Sequence, residues 1–138
     1  MAADSVIINS SDGPAEIVGV HGGTGPMFWK RLATGGMLHG DWESFEYCRV
    51  PPGSTIGEHV HSRTEEIYYI VAGRGEMSVD DARREVGPGD LIVTPLNGKH
   101  GLANIGVSDL EFLVVEVLPP AITAVLPVRS PAAAGDRD

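Results

Sequence analysis

The sequence predicts an all-β domain, a sandwich or barrel built from short strands, and three observations carry that expectation. Glycine (18) and proline (10) are frequent. They cluster at Pro51-Pro52-Gly53, Ala72-Gly73-Arg74-Gly75, Gly87-Pro88-Gly89, Asn97-Gly98 and Pro119-Pro120, and such clusters punctuate a chain of strands. Between them lie runs rich in aromatic and β-branched residues, none with the length or the 3.6-residue period of a helix. The turn signals recur at about the 8–12-residue spacing of sandwiches and barrels.

Taken in order, Ile7-Ile8, Ile17 to Val20 and Met27 to Trp29 are expected to be strands. They are interrupted by the glycine-rich His21 to Gly25 and Ala33 to Gly36. The first of these has no Lys-Ser/Thr continuation, so it is turn material and not a phosphate loop. Phe45 to Val50 follows, with Cys48 in an alternating apolar segment, where it reads as a small buried hydrophobe. Glu66 to Val71 is next, and Gly73 to Gly75 turn it into Glu76 to Val79. Asp80-Asp81 form a hairpin tip before Arg83 to Val86. Leu91 to Thr94 and Leu110 to Leu118 complete the set.

Side chains alternate faces along a strand. If Glu66 faces inward, Tyr68 and Ile70 accompany it, while Ile67, Tyr69 and Val71 form a second apolar face. That predicts a strand between a mostly apolar cavity and a further packed layer. By the same parity Leu102 and Asn104 go with His100, and Phe112, Val114 and Glu116 share a face.

Composition bounds the function. A chain of 138 residues with no long polar linker fits one domain. Ten Lys and Arg against 19 Asp and Glu leave a net charge of −9 with no basic stripe, which argues against nucleic acid and anionic membranes as partners. No cationic, apolar leader opens the chain, and no stretch of about 18 apolar residues occurs. A cytoplasmic protein is expected. A single cysteine excludes an internal disulfide.

The chemistry is concentrated at His59-Val60-His61 and Glu66. On a strand His59 and His61 point the same way, and Ser62, Arg63 and Thr64 can turn the chain so that Glu66 returns to the same point. His100 offers a third imidazole. Three nitrogens and one carboxylate oxygen suit a first-row divalent ion and leave coordination positions for substrate or water.

The spacing extends further. Gly53 precedes His59 by five intervening residues, Glu66 follows His61 by four, and Gly73 follows Glu66 by six. Then come Gly89, Pro95, His100 and Asn104. These two stretches resemble the two signature motifs of the cupin superfamily, in which two histidines and a glutamate of the first motif and a histidine of the second bind one metal inside a jelly-roll barrel. The resemblance implies a single-domain cupin-type jelly roll with His59, His61, Glu66 and His100 as ligands of one divalent transition metal: Fe, Mn, Ni, Zn, Co or Cu. Glu65 competes with Glu66, but only Glu66 leaves six residues before Gly73. The second motif departs from the family pattern in placing Asn97 where the family has glycine, a substitution that asparagine's tolerance of positive φ accommodates.

The resulting expectation is a metal-dependent enzyme acting on a small, partly apolar metabolite that offers an oxygen donor. Dioxygenase chemistry and Lewis-acid cyclase or isomerase chemistry, as in natural-product tailoring, both remain open. The alternative is a non-catalytic binding or sensing cupin. Tyr68 is the candidate hydrogen-bond donor or proton carrier, and His39, near Trp42, is a candidate acid/base or extra ligand whose competing placement is a surface loop. His21 reads as loop. Glu116 is a further pocket candidate. Residues 1–40 are expected to form N-terminal strands and loops that pair with a partner subunit, 41–118 the barrel, and 119–138 an extension disordered from about Ser130. A homodimer follows from the edge strands that a jelly roll leaves open.

Overall fold

The described residues of the computed structural model, 7–127, form ten strands, a 3-10 turn and one short helix. The strands are β1 (Ala15–Val18), β2 (Pro26–Thr34), β3 (Trp42–Val50), β4 (Thr55–Val60), β5 (Glu65–Ala72), β6 (Gly75–Val79), β7 (Ala82–Val86), β8 (Leu91–Thr94), β9 (Lys99–Asn104) and β10 (Leu110–Val117). The 3-10 turn is Val20–Gly22, and α1 spans Pro120–Thr123. Every strand pairing is antiparallel. One six-stranded sheet runs β1-β2-β3-β10-β5-β8, and a four-stranded sheet runs β4-β9-β6-β7. The two sheets face each other as a jelly roll without closing into a continuous barrel.

Strand parity decides what lies between them. Glu66, Tyr68 and Ile70 on β5, His100, Leu102 and Asn104 on β9, and Phe112 and Val114 on β10 are all buried. Fully buried Phe112, Ile70, Leu110 and Val50 anchor the core, each side chain contributing about 1.5–3 kcal/mol by its transfer from water. Cys48 is buried among them, and burial pushes its thiol pKa well up.

Asp80 (φ 46) and Asp81 (φ 71) both adopt the left-handed conformation, the geometry of a type I′ hairpin tip between β6 and β7. Asn97 adopts φ 65, so it supplies the positive-φ turn that glycine serves in the family pattern.

Several expectations change. Ile7 and Ile8 lie outside any strand, Ile7 being 98% exposed, and among the described residues no strand pairs with them. Ile17 to Val20 divides into β1 and the start of the 3-10 turn, since Gly19 (φ 70) breaks the extended run. No further layer covers the outer face of β5 among the described residues, where Tyr69 is 44% and Val71 49% exposed. β2 pairs with β3 of its own chain, and β1 forms an edge of that sheet. The expected disorder from Ser130 lies outside the described residues.

Candidate metal centre

His59 and His100 sit directly opposite one another across β4 and β9, and this register brings their rings face to edge at 4.4 Å. Their Nε2 atoms are 2.9 Å apart. His61 lies one residue beyond the end of β4, on the same side as His59, and its backbone carbonyl accepts a hydrogen bond of 2.8 Å from Asn97 N. The Asn97 turn therefore holds the first histidine segment in place. Glu66 enters from the other sheet, with Oε1 2.8 Å from His61 Nε2 and Oε2 3.2 Å from His100 Nε2. Three imidazole nitrogens thus converge between the sheets, and the Glu66 carboxylate reaches two of them, His61 and His100.

Outer contacts orient the rings. His59 Nδ1 donates to the Gly57 carbonyl at 2.8 Å, which leaves the Nε2 lone pair aimed at the cluster. His100 Nδ1 is 2.8 Å from Thr94 Oγ1, and Thr94 is itself placed beside Glu66 by the β5–β8 register. Tyr68 OH lies 3.5 Å from His100 Nε2.

The donor set fits a divalent transition metal. His59, His61 and His100 offer ring nitrogens within 4.8 Å of one another, as do the ligand atoms of His61, Glu66 and Glu116. Glu66 is 2% exposed, and its buried Oε2 makes no well-aligned hydrogen bond although His100 Nε2 stands 3.2 Å away. A buried carboxylate oxygen in that condition is costly unless a cation completes it. Glu65, the competing glutamate, does not line the cavity.

Electrostatics separate the groups. Burial pulls His59 down to about 4, so its ring is neutral. The Glu66 carboxylate raises His61 above its ordinary value. Burial opposes ionisation of Glu66, but His100, His61 and the Glu116 carboxyl together outweigh it and hold Glu66 well below the usual carboxylate range. Burial, the Glu46 charge and a hydrogen bond to Glu66 push Glu116 up to about 8. Burial also raises the Tyr68 phenol, which keeps its proton.

The cluster opens into a cavity of about 220 Å³. Ile17, Val20, Met27, Trp29, Ile56 and Val114 give it the expected apolar wall, but Glu46, Glu66 and Glu116 form a carboxyl ladder across β3, β5 and β10 that makes it less apolar than expected. Trp29 Nε1 donates to Glu46 Oε1 at 3.0 Å, and Ser44 Oγ donates to Oε2 at 2.8 Å while lying 3.3 Å from Glu116 Oε2.

Two placements differ from the reading of the sequence. His39 stands exposed on the bend between β2 and β3 and takes no part in lining the cavity, because the chain turns outward after Gly35-Gly36. His21, read as loop, lines the cavity and stacks on His59 with ring centroids 3.7 Å apart and an interplanar angle of 13°. It adopts φ 51 within the 3-10 turn. That turn docks on β4 through Thr24 N donating to Thr55 Oγ1 and Thr55 N donating to the Thr24 carbonyl, both at 2.8 Å. The approach is so close that a Cβ on Gly57 would overlap the His21 carbonyl. No local pattern announces this contact. Glu46 did leave a signal, since it shares the parity of buried Cys48.

With this geometry in view, the relatives are informative. The chain is 33% identical over 113 residues to the oxalate-binding protein of Thermotoga maritima, covering 82% of this chain and 93% of that protein. A crystal structure of a predicted oxalate decarboxylase from Thermotoga maritima superposes with a TM-score of 0.79 at 32% identity, over 83% of this chain and 100% of that one. Over 69 residues the chain is 33% identical to polyketide synthase CurC of Streptomyces cyaneus, covering 50% of this chain and 44% of that protein. The cupin domain family matches residues 46–116, a segment that contains all four convergent side chains. The chain belongs to the cupin family.

Proposed function

We propose that this protein is a metal-dependent cupin enzyme acting on a small, partly apolar metabolite that binds through an oxygen donor. The observation that carries the reading is the convergence of the His59, His61 and His100 rings, with the buried Glu66 carboxylate set against His61 and His100, beside a cavity with a largely apolar wall. A divalent ion held there would supply Lewis acidity, or with a redox-active metal a site for oxygen chemistry. The chain's own groups do the rest. Tyr68 retains its proton and holds its hydroxyl 3.5 Å from His100 Nε2, where it would donate a hydrogen bond to a bound molecule, and the apolar wall excludes water from that molecule. Glu116 holds a proton within reach of Glu66. The likeness to a protein named as a polyketide synthase supports natural-product tailoring as the setting, on a segment that is less than half of that protein.

The test is metal content of protein purified without chelator, followed by turnover assays of the Fe(II)-, Mn(II)-, Ni(II)- and Zn(II)-loaded forms against phenolic and β-dicarbonyl compounds, with and without O₂. Protein that takes up none of these metals overturns the reading. A second reading, capture of a small metabolite without chemistry, is favoured by the likeness to an oxalate-binding protein. Tight ligand binding with no turnover for any metal would support it. We also propose a homodimer, because β1 and β8 are open sheet edges and Tyr69, Val71, Leu91 and Val93 leave an apolar outer face. Sedimentation velocity showing monomer alone removes that proposal.

A further inference from the structure

We infer that Glu46 sets the ligand specificity of the cavity, selecting a neutral or singly charged chelating molecule that donates a hydrogen bond and turning away dicarboxylate dianions. The inference rests on the metal reading above and adds the class of molecule that such a site takes.

The charge balance of the cavity leads to it. Glu46, Glu66 and Glu116 line the cavity, and among the described residues no Lys or Arg does so. A divalent ion with Glu66 leaves a local charge near +1, which the Glu46 carboxylate opposes; Arg31, ion-paired to Glu46 at 3.8 Å from outside the cavity lining, offsets part of that, so the net charge lies between 0 and +1. A dianion entering this space would leave at least one uncompensated negative charge against Met27, Ile56 and Val114, which cannot solvate it. A neutral chelator leaves none.

Glu46 is also built to recognise a donor. It is buried, and Trp29 Nε1 at 3.0 Å and Ser44 Oγ at 2.8 Å fix one hydrogen bond on each oxygen. A carboxylate has about four acceptor positions, so Glu46 keeps acceptor capacity toward the cavity. Arg31 Nε approaches Oε2 at 3.8 Å, beyond hydrogen-bond distance, and does not line the cavity. It steadies the carboxylate without offering a cation to the ligand. A ligand held by the metal at one end therefore meets a fixed acceptor at the other, and a hydroxyl or N–H satisfies it.

Oxalate and acetohydroxamate test this directly. They are bidentate oxygen chelators of similar size, but oxalate is a dianion with no donor at neutral pH, whereas acetohydroxamate is at most singly charged and keeps an N–H. Isothermal titration of the Ni(II)-loaded wild type, with metal content measured before and after, should show preference for acetohydroxamate over oxalate shifted upward relative to free Ni(II). Glu46→Gln, which keeps the shape and an acceptor for Trp29, should shift that ratio back toward oxalate by roughly tenfold, the effect of one nearby charge at an effective permittivity of about 20. Glu46→Asp, which keeps the charge, should stay on the wild-type side. An unchanged ratio in Glu46→Gln, enrichment of oxalate by the wild type, or binding of neither probe overturns the inference alone. Failure to take up Ni(II) overturns the metal reading and this inference with it. If Glu46→Gln does not fold, the wild-type comparison with free Ni(II) decides.

Discussion

Replacing Thr94 with valine isolates the contribution of one outer contact to the proposed metal site. Thr94 is 2% exposed and its hydroxyl lies 2.8 Å from Nδ1 of fully buried His100. Valine nearly preserves the volume, so packing is kept while the hydroxyl is lost. In the metal-free protein the buried Nδ1 then has no partner, which costs about 1–3 kcal/mol of folding stability. In the loaded protein the ring also loses the group that fixes its orientation and tautomer, and loss of such a partner weakens metal affinity by about 10–100-fold, equivalent to about 1.4–2.7 kcal/mol. Urea denaturation of the metal-free protein and competition titration of Ni(II) or Zn(II) measure the two effects separately. Thr94→Ser keeps the hydroxyl and should recover most of the affinity. Wild-type affinity in Thr94→Val, or equal losses in the serine and valine variants, would refute the reasoning that the hydroxyl orients His100.

Glu66→Ala should strip the metal while Glu65→Ala leaves its content nearly intact, as read by metal analysis after gel filtration; the reverse result would place the ligand at Glu65. Gly57→Ala forces a Cβ onto the His21 carbonyl and should cost about 1–3 kcal/mol by overpacking, with the His21 ring resonances shifting as the 3-10 turn lifts from β4. Unchanged stability would mean that the turn is loosely held. Metal-free and loaded proteins should respond to pH in opposite directions. The folded-state pKa of His61 is raised above its ordinary 6.5 and that of Glu116 is raised from 4.5 to about 8, so each favours the fold in its protonated form. The stability they give is lost as pH rises, across about 4.5 to 8 for Glu116 and upward from 6.5 for His61. Metal uptake requires deprotonated imidazoles and should weaken as pH falls below about 6. Because the lowered His59 and His21 act the opposite way below pH 6.5, thermal melts with and without metal are compared from about pH 7 to 8.5, where a metal-free midpoint that climbs would contradict the shifts.

Strand parity made much of the site legible before any coordinates. A two-residue period assigns Glu66, Tyr68 and Ile70 to one face from sequence alone, and all three are buried. The asparagine at position 97 was readable for the same kind of reason, since the backbone needs φ 65 there and asparagine tolerates it. What escaped was non-local. β4 and β9 contain Gly57 and Gly101, which weaken the strand pattern, and both glycines answer to a neighbour brought close by the fold: His21 against Gly57 and Glu58 against Gly101. His21 reaches the cavity only because a turn some thirty residues earlier docks on β4, as the Thr24–Thr55 pair shows, and a linear pattern does not encode that approach. His39 failed as a pocket candidate because proximity in sequence to Trp42 says nothing of direction after a glycine bend.

The carboxyl ladder shows where structural need ends and function begins. Glu46, Glu116 and Glu66 occupy three strands that are neighbours in the order β3-β10-β5, and Glu116 stands directly opposite Glu66 in the register. Two buried carboxyls and a half-buried third destabilise a fold unless each is satisfied. Glu46 takes Trp29 and Ser44, Glu116 lies beside Ser44 and shares a hydrogen bond with Glu66, and Glu66 Oε1 takes His61. A network evolved only for packing would close the last valence as well, because an apolar side chain at position 66 would avoid the cost altogether. Instead buried Glu66 Oε2 makes no well-aligned hydrogen bond, with His100 Nε2 3.2 Å away, beside three ring nitrogens that already turn toward one another. Such an atom forfeits about 1–3 kcal/mol in the metal-free fold. Local violations of satisfied packing collect at functional sites, and here the violation falls on the one oxygen that a cation bound by the histidines would complete.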